Sequence, residues 1–471
     1  MRLLGRGKAS KPRVFVLGLD GTPHSYLKAE VSAGRLPNLA ALFEDGSFAP
    51  MRSSLPSVSG TAWMTVFTGH DPGGHGIYGF MDCKPDSHDF YFPNYDHVRA
   101  PALWDLLAPA GKRSVVLNVP GTYPARPIGG PRTPQPVQGA LVAGFVAPKL
   151  ERAVYPPPLL ERLRGIGYRV DLDNAAARGA FERLEEDLFA TFAARRQAVQ
   201  MLLHDGDWDL FVAVVTETDR LYHFLWNGMA DGDERVVDLF HRFHAELDAF
   251  AGWLAGTLPE GTELLLMSDH GFTSARLDVF TNAWLVERGY LAFDVDEPKG
   301  LSAISPRSTV FSLDPGRFYL NRAGVRPRGS VQPAQADAVL ERLLGDLADF
   351  RHPGSGELVY GQAVRCDQAY HGAEAARGPD VVLTLRPGYE LKGGTKGTAV
   401  FRPPGEGLAG MHTSDDSHLY LRGRAIREGR IDLHDVAPTI AELLGVDLAG
   451  SFQGRSLLTT GTGTETGEAA R

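Results

Sequence analysis

The chain has 471 residues, of which 43% are hydrophobic and 22% charged, with a net charge of -9. That length exceeds the ~250–300 residues at which a single core stops growing, so a large soluble α/β domain with insertions or a second small lobe is expected. The acidic balance excludes a general nucleic-acid binder, which needs a basic surface.

Residues 1–12 carry basic side chains but no apolar core of ~7–15 residues, so they do not read as a secretory signal and are expected to be flexible. No stretch approaches the ~20 apolar residues of a spanning helix, and no basic tract flanks a long apolar run. The two cysteines, Cys83 and Cys366, allow one disulfide, but a reduced interior and a cytoplasmic address are the expectation.

Arg13–Leu19 is a short, continuously apolar run, as in a strand buried on both faces, and Asp20-Gly21 follow where it ends. Ligands collect beyond the carboxyl ends of such strands, although an Asp there also serves as a helix N-cap. Leu36–Phe43 reads as a helix with proline in its first turn. Leu55-Pro56-Ser57-Val58 then delivers the hydroxyl of Ser59 ahead of a short apolar helix that runs to Gly69. The free N–H groups and the dipole of that helix favour an anion beside Ser59; the alternative is a plain N-cap serine. Asp71–Gly76 is a turn cluster holding His75.

The proline-rich stretch at about 81–180 is expected to rim the site, with a strand at Val115–Pro120 and loop lining at Ala143–Pro148. Phe181–His204 is a long amphipathic helix, with Arg195 and Arg196 read as part of its solvated face. Trp208–Val215 is the next buried strand. Past its end, Asp219 and His223 stand four residues apart and share one face of a helical turn, so a single metal could be gripped by both. A capping Asp beside a packed His is the alternative. Glu234–Leu258 is a second long helix whose His241 and His244 read as surface residues.

Thr262–Met267 is a third buried strand, ending in Ser268-Asp269-His270-Gly271. Adjacent strand side chains point to opposite faces, so Asp269 and His270 can share a metal only where the chain is turning, which Gly271 permits. The strand–helix–strand rhythm over 181–272 predicts right-handed crossovers and a mostly parallel sheet. At about 290–400 the texture changes to that of an inserted lobe, with strands at 318–324 and 360–366 around a helix at 333–349. Gly378–Leu385 is read as resuming the main sheet, and a loop then carries His412, with Asp415, Asp416 and His418 as competing ligands nearby. Ile431–Leu444 is the closing helix, ended by Gly445. The tail, residues 458–471, is rich in Gly, Thr and Glu and is expected to be disordered. Three carboxylates, three imidazoles and one hydroxyl suffice for a pair of divalent metals with an activated serine between them.

In this order the segments resemble the alkaline phosphatase superfamily, in its type I phosphodiesterase/nucleotide pyrophosphatase branch. The resemblance also covers His75-Gly76-Ile77 and Asp435–Ile440 with Gly454–Leu457, and spans residues 13 to 457. It implies an α/β fold with a mostly parallel central sheet sandwiched by helices and with inserted cap lobes. It implies one metal held by Asp219, His223 and His412, and a second by Asp20, Asp269, His270 and the Ser59 oxygen. It alone selects His412 over its neighbours, and it makes His75 structural. Oxygen and nitrogen ligands without thiolate suit zinc, with manganese as a substitute. The implied activity is hydrolysis of a small-molecule phosphoester through a covalent phosphoseryl adduct on Ser59, with the Gly60 N–H holding a phosphoryl oxygen.

The departures from the family pattern bear on substrate. Nucleotide pyrophosphatases usually carry Thr where Ser59 stands, and an asparagine where counting from the nucleophile reaches Phe80. The arginine that follows the alkaline phosphatase nucleophile is replaced by Gly60, which tilts the expectation towards diesters or phosphonates. A sulfatase is excluded, because Ser59-Gly60-Thr61-Ala62-Trp63 lacks the required Pro and Arg. A metal-dependent phosphomutase or phosphomonoesterase on the same scaffold is one rival. A non-catalytic binding protein is the other, and it should have lost ligands that are all in place here.

Overall fold

Strands that are apolar at every position need cover on both faces, and this dictates the centre of the molecule. The computed structural model describes residues 11–84, 86–129, 139–173, 180–405 and 408–459. The expected flexible start and tail fall outside these residues except at 11–12 and 458–459, where Leu458 bridges Ile426.

Numbered in chain order, the eight strands of the main sheet are β1 (Arg13–Leu19), β2 (Gly46–Met51), β3 (Ser114–Val119), β4 (Ala140–Ala143), β5 (Val154–Tyr155), β6 (Leu210–Val215), β7 (Thr262–Met267) and β8 (Ser417–Arg422). Their spatial order is β2-β8-β7-β1-β6-β3-β4-β5. The run from β7 to β4 is parallel, and β8, β2 and β5 pair antiparallel at the flanks. Every residue of β3 and β6 is buried, and the largest hydrophobic cluster surrounds them. The α/β sandwich is therefore the one expected. Strands β3, β4 and β5 lie in the stretch read as an inserted rim, so part of that stretch builds the main sheet.

The 290–400 region has its own hydrophobic cluster and a four-stranded antiparallel sheet of Val310–Leu313, Arg317–Leu320, Val381–Leu383 and Ala363–Arg365. Val381–Leu383, expected to resume the main sheet, instead pairs within this lobe. Its short apolar run is as well buried between two lobe strands as it would be in the larger sheet. A third sheet joins Gly271–Phe280 to Gly388–Lys392, Phe401–Arg402 and Gly410–Thr413. Among the described residues no helix is long and apolar enough to cross a membrane.

Two expectations about the long helices are corrected. Arg195 is fully buried and not solvated. Its Nε and Nη2 donate to Glu217 Oε1 at 3.2 and 3.0 Å, and its Nη2 to Val170 O at 2.9 Å. His244 is also buried: it accepts from Tyr222 Oη at 2.7 Å through Nε2 and donates from Nδ1 to Phe240 O at 2.7 Å. Both polar side chains tolerate burial because their partners satisfy them, and both anchor the Glu217–Ala230 helix, from opposite neighbours. Removing one member of such a pair strands a buried charge. Arg195→Met should therefore lower unfolding stability by about 3–5 kcal/mol in denaturant titrations, whereas an unchanged midpoint would show that the pair does not anchor the helix.

Candidate metal centre

The site lies beyond the carboxyl ends of β1, β6 and β7, and local structure explains how each group arrives there. Asp20 follows β1 directly, its N–H bonded to Val215 O at 3.0 Å. Ser59 is the first residue of the Ser59–Thr68 helix, with extended Val58 as its N-cap. Its hydroxyl makes no capping bond; it donates to Asp20 Oδ1 at 3.2 Å and lies 3.2 Å from His270 Nε2. Trp63, one turn along, donates from Nε1 to Asp20 Oδ2 at 2.9 Å. The helix can lie so close to β1 because residue 18 is glycine: a Cβ there would come within 2.5 Å of the Trp63 ring.

Asp219 and His223 occupy the first two turns of the Glu217–Ala230 helix. Asp269 and His270 connect β7 to the strand Gly271–Phe280. Gly271 opens that strand and is needed for close approach: a Cβ would meet Thr413 Oγ1 at 2.5 Å. His412, expected in a loop, lies on the strand Gly410–Thr413 opposite Phe272. Of its competitors, Asp416 bonds the Ser25 N–H at 2.9 Å and His418 faces Thr22 O at 3.0 Å.

All seven expected side chains converge. Six of them form two groups that could each hold a metal ion, Asp219/His223/His412 and Asp20/Asp269/His270, each with its donor atoms within 4.8 Å of one another, and Ser59 Oγ stands against Asp20 and His270 of the second. Asp219 Oδ1 lies between the groups, 3.4 Å from His412 Nε2, 3.5 Å from His223 Nε2 and 4.0 Å from His270 Nε2. Each histidine places Nδ1 against a carbonyl: His223 on Gly410 O at 3.1 Å, His270 on Gly271 O at 3.1 Å and His412 on Ser57 O at 2.7 Å. A carbonyl only accepts, so Nδ1 carries the proton and Nε2 presents a lone pair. This second-atom bond to a carbonyl is the usual support of a metal-ligating histidine.

The arrangement is electrostatically incomplete without cations. His412 Nε2 and His223 Nε2 are 3.0 Å apart. The buried oxygens Asp219 Oδ1 and Asp269 Oδ2 have no hydrogen-bond donor among the described residues. Burial, then the charges of Asp269 and Asp219, raise the Asp20 carboxyl well above its ordinary value. Burial pushes Asp269 up to about 7 and His223 down to about 4. Burial also drives His270 well down. Burial opposes ionisation at Asp219 as well, but His223, His412 and Arg220 together hold it below the carboxylate range. His412 is raised against the effect of burial by its contact with Asp219. Divalent ions would favour the ionised forms of Asp20 and Asp269, and His223 and His270 are already held in the neutral form that ligates, so the residues fit a two-metal centre.

A cavity of about 470 Å³ opens over Ser59 and is lined by Gly60, Phe80, Phe145, His223 and His412 among others. No Cβ clash surrounds Gly60, which faces open space at the helix start. Phe80 is 46% exposed and stacks on Phe145, with ring centres 5.7 Å apart and 8° between planes. The sequence reading missed Arg220, which also lines the cavity and bonds both Asp219 and Asp171. Its place beside a candidate ligand was the only signal for it. His75 is buried and bonded to Thr65 Oγ1 at 3.0 Å, away from the centre. A third acidic group, Asp432/His434/Asp435, is occupied by protein: Arg52 and Arg430 bond Asp432, while Arg427 and the Arg455 N–H bond Asp435. That clamp explains why the Asp435 and Gly454–Leu457 segments go together.

The Asp269 shift carries a pH signature. A carboxyl raised from about 4 to about 7 on folding binds more protons folded than unfolded across that interval, so its contribution makes stability fall as pH rises through it. In metal-stripped protein, Asp269→Asn should flatten the decline of melting temperature between about pH 4 and 7. A slope identical to wild type would show an ordinary carboxyl.

The profile described as type I phosphodiesterase / nucleotide pyrophosphatase matches residues 14–415. The phosphonoacetate hydrolase of Sinorhizobium meliloti 1021, solved with phosphonoacetate, superposes with a TM-score of 0.57 at 17% identity, covering 94% of this chain and 98% of its own. Murine ectonucleotide pyrophosphatase / phosphodiesterase 5 superposes with a TM-score of 0.53 at 15% identity, covering 92% and 95%. At such identities the likeness speaks for the fold. No curated protein matches the chain. With the family profile running over most of its length, the chain belongs to the type I phosphodiesterase/nucleotide pyrophosphatase family and is a metal-dependent hydrolase.

Proposed function

We propose that this protein hydrolyses a phosphodiester or phosphonate ester with Ser59 as nucleophile and two divalent ions, most simply zinc, as cofactors. The observation that carries the reading is the position of Ser59 Oγ, 3.2 Å from both Asp20 Oδ1 and His270 Nε2 at the floor of the cavity. Asp219, His223 and His412 would hold one ion, and Asp20, Asp269, His270 and the Ser59 oxygen the other. Bound there, the ions would supply the Lewis acidity that stabilises a serinate and the departing oxygen.

The chain's own groups account for the rest. The carbonyl-bound imidazoles keep their Nε2 lone pairs aimed inward without reorganisation. Asp20 Oδ1 accepts from the Ser59 hydroxyl, and Trp63 holds the other oxygen of that carboxylate, so Oγ is fixed before substrate arrives. Ser59 attacks phosphorus as the bond to the leaving oxygen breaks, and water then cleaves the phosphoseryl bond. The Gly60 N–H, in the first turn of the helix, is open to a non-bridging oxygen.

Substrate class follows from the walls. Met64, Ile77, Phe80, Phe145 and Phe224 give the cavity a largely apolar, partly aromatic lining, suited to an uncharged organic group on the phosphate. With Cys83 and Cys366 both free thiols, the reading places the enzyme in a reducing compartment, the cytoplasm.

Ser59→Ala should lower turnover by ~10⁴-fold or more while the purified protein still carries two divalent ions per chain; near-normal turnover would remove Ser59 from the reaction. In a zinc- or manganese-supplemented panel of aryl diester, aryl monoester, phosphonate ester and sulfate ester, the diester should be cleaved ahead of the monoester. The reverse order would overturn the substrate class and leave the site intact.

A further inference from the structure

The cavity wall holds a cation with no role yet in binding or turnover. Arg220 follows Asp219 in the first turn of its helix and lines the same cavity as Ser59 and Gly60. Asp171 holds it by Nε at 2.9 Å and Nη2 at 2.8 Å, and Nη1 reaches Asp219 Oδ2 at 3.3 Å. Its Cζ lies 4.3 Å from the ring centre of Phe145, which itself stacks on Phe80. A guanidinium has five N–H groups. Asp171 and Asp219 engage three of them, so two have no acceptor among the described residues. A chain of contacts links the guanidinium to Ser59 Oγ: Arg220 Nη1 bonds Asp219, whose Oδ1 is 4.0 Å from His270 Nε2, which is 3.2 Å from Oγ.

We propose that Arg220 donates to a non-bridging oxygen of the phosphoryl group at Ser59, supplying the polar donor that is missing where Phe80 stands. Packing against Phe145 and bonding to Asp171 restrain the guanidinium on the cavity wall, so little side-chain entropy is lost on binding. Because Asp171 already offsets its charge, Arg220 brings donors without a net positive charge. That matches the single charge of a diester better than the two of a monoester. The inference rests on the phosphoester reading of Ser59.

The test reads binding apart from turnover. Inorganic phosphate is titrated by calorimetry into metal-loaded Ser59→Ala protein, with and without Arg220→Met. Because Arg220→Met alone strands Asp171, the double change Asp171→Asn/Arg220→Met is made as well. The expected result is a folded protein with two ions per chain whose phosphate affinity is about ten- to a hundredfold weaker. In the Ser59-intact background, kcat/KM for an aryl diester should fall by a similar factor. Phosphate affinity within twofold of the parent in the double variant would overturn the assignment. Loss of metal together with phosphate would also overturn it, by making Arg220 a support for Asp219 alone. Activity surviving in Ser59→Ala itself would strike at the serine mechanism, and leaves the phosphate titration as an independent reading.

Discussion

Three carboxylates and three imidazoles, buried or half-buried, meet beyond the ends of β1, β6 and β7, and the rest of the structure can be understood as what makes that concentration tolerable. Each group is taken from water at a cost, and the direction of the shifts records it: Asp20 and Asp269 resist ionisation, while His223 and His270 resist protonation. A protein does not keep such groups in contact unless something else supplies opposite charge. Protein groups do so only in part: Arg220 bonds Asp219 Oδ2, but Asp219 Oδ1 and Asp269 Oδ2 have no hydrogen-bond donor among the described residues. The cluster suits cations, and its geometry is set by bonds at the far side of each candidate ligand.

Those far-side bonds run into rigid structure. Gly410 O, Gly271 O and Ser57 O, which orient the imidazoles, belong to a strand, a strand start and the serine loop. The helix carrying Asp219 is pinned at its first residue by the buried Arg195–Glu217 pair and on its flank by the Tyr222–His244 hydrogen bond. Precision at the site thus comes from buried polar contacts two layers away, set into the large core around the main sheet.

The walls differ in character from the floor. The lobe at 290–400 contributes Asp314, Pro315 and Glu390 to the cavity, and the fully buried Arg317 ties that lobe to the rim by donating to Met81 O at 2.6 Å. Opposite, Phe80, Phe145 and Arg220 form a layered wall with Asp171 behind it. In the proposed reading the metal ligands set what bond can be broken and this wall sets which molecule is held, because a site's chemistry and its specificity can vary separately on one fold.

The sequence by itself determined the central parallel strands β1, β6 and β7 and the candidate ligands at their ends. Buried parallel strands are continuously apolar and end abruptly, so β1, β6 and β7 and the Asp or Asp-His pairs just past them stood out along the chain. Spacing four residues apart placed Asp219 and His223 on one helix face. Tertiary structure alone decided the rest, because those facts depend on segments far apart in the chain. Only pairing with Phe272 put His412 on a strand at the centre. Only packing turned Arg195 and His244 from apparent surface residues into buried anchors, since the helical period shows which face is apolar and not which polar side chain finds a buried partner. Val381–Leu383 joined the lobe because a short apolar run fits either sheet equally well, and the choice fell to its neighbours. Arg220 gained its place on the cavity wall through Asp171 and Phe145, which lie 49 and 75 positions away in the chain.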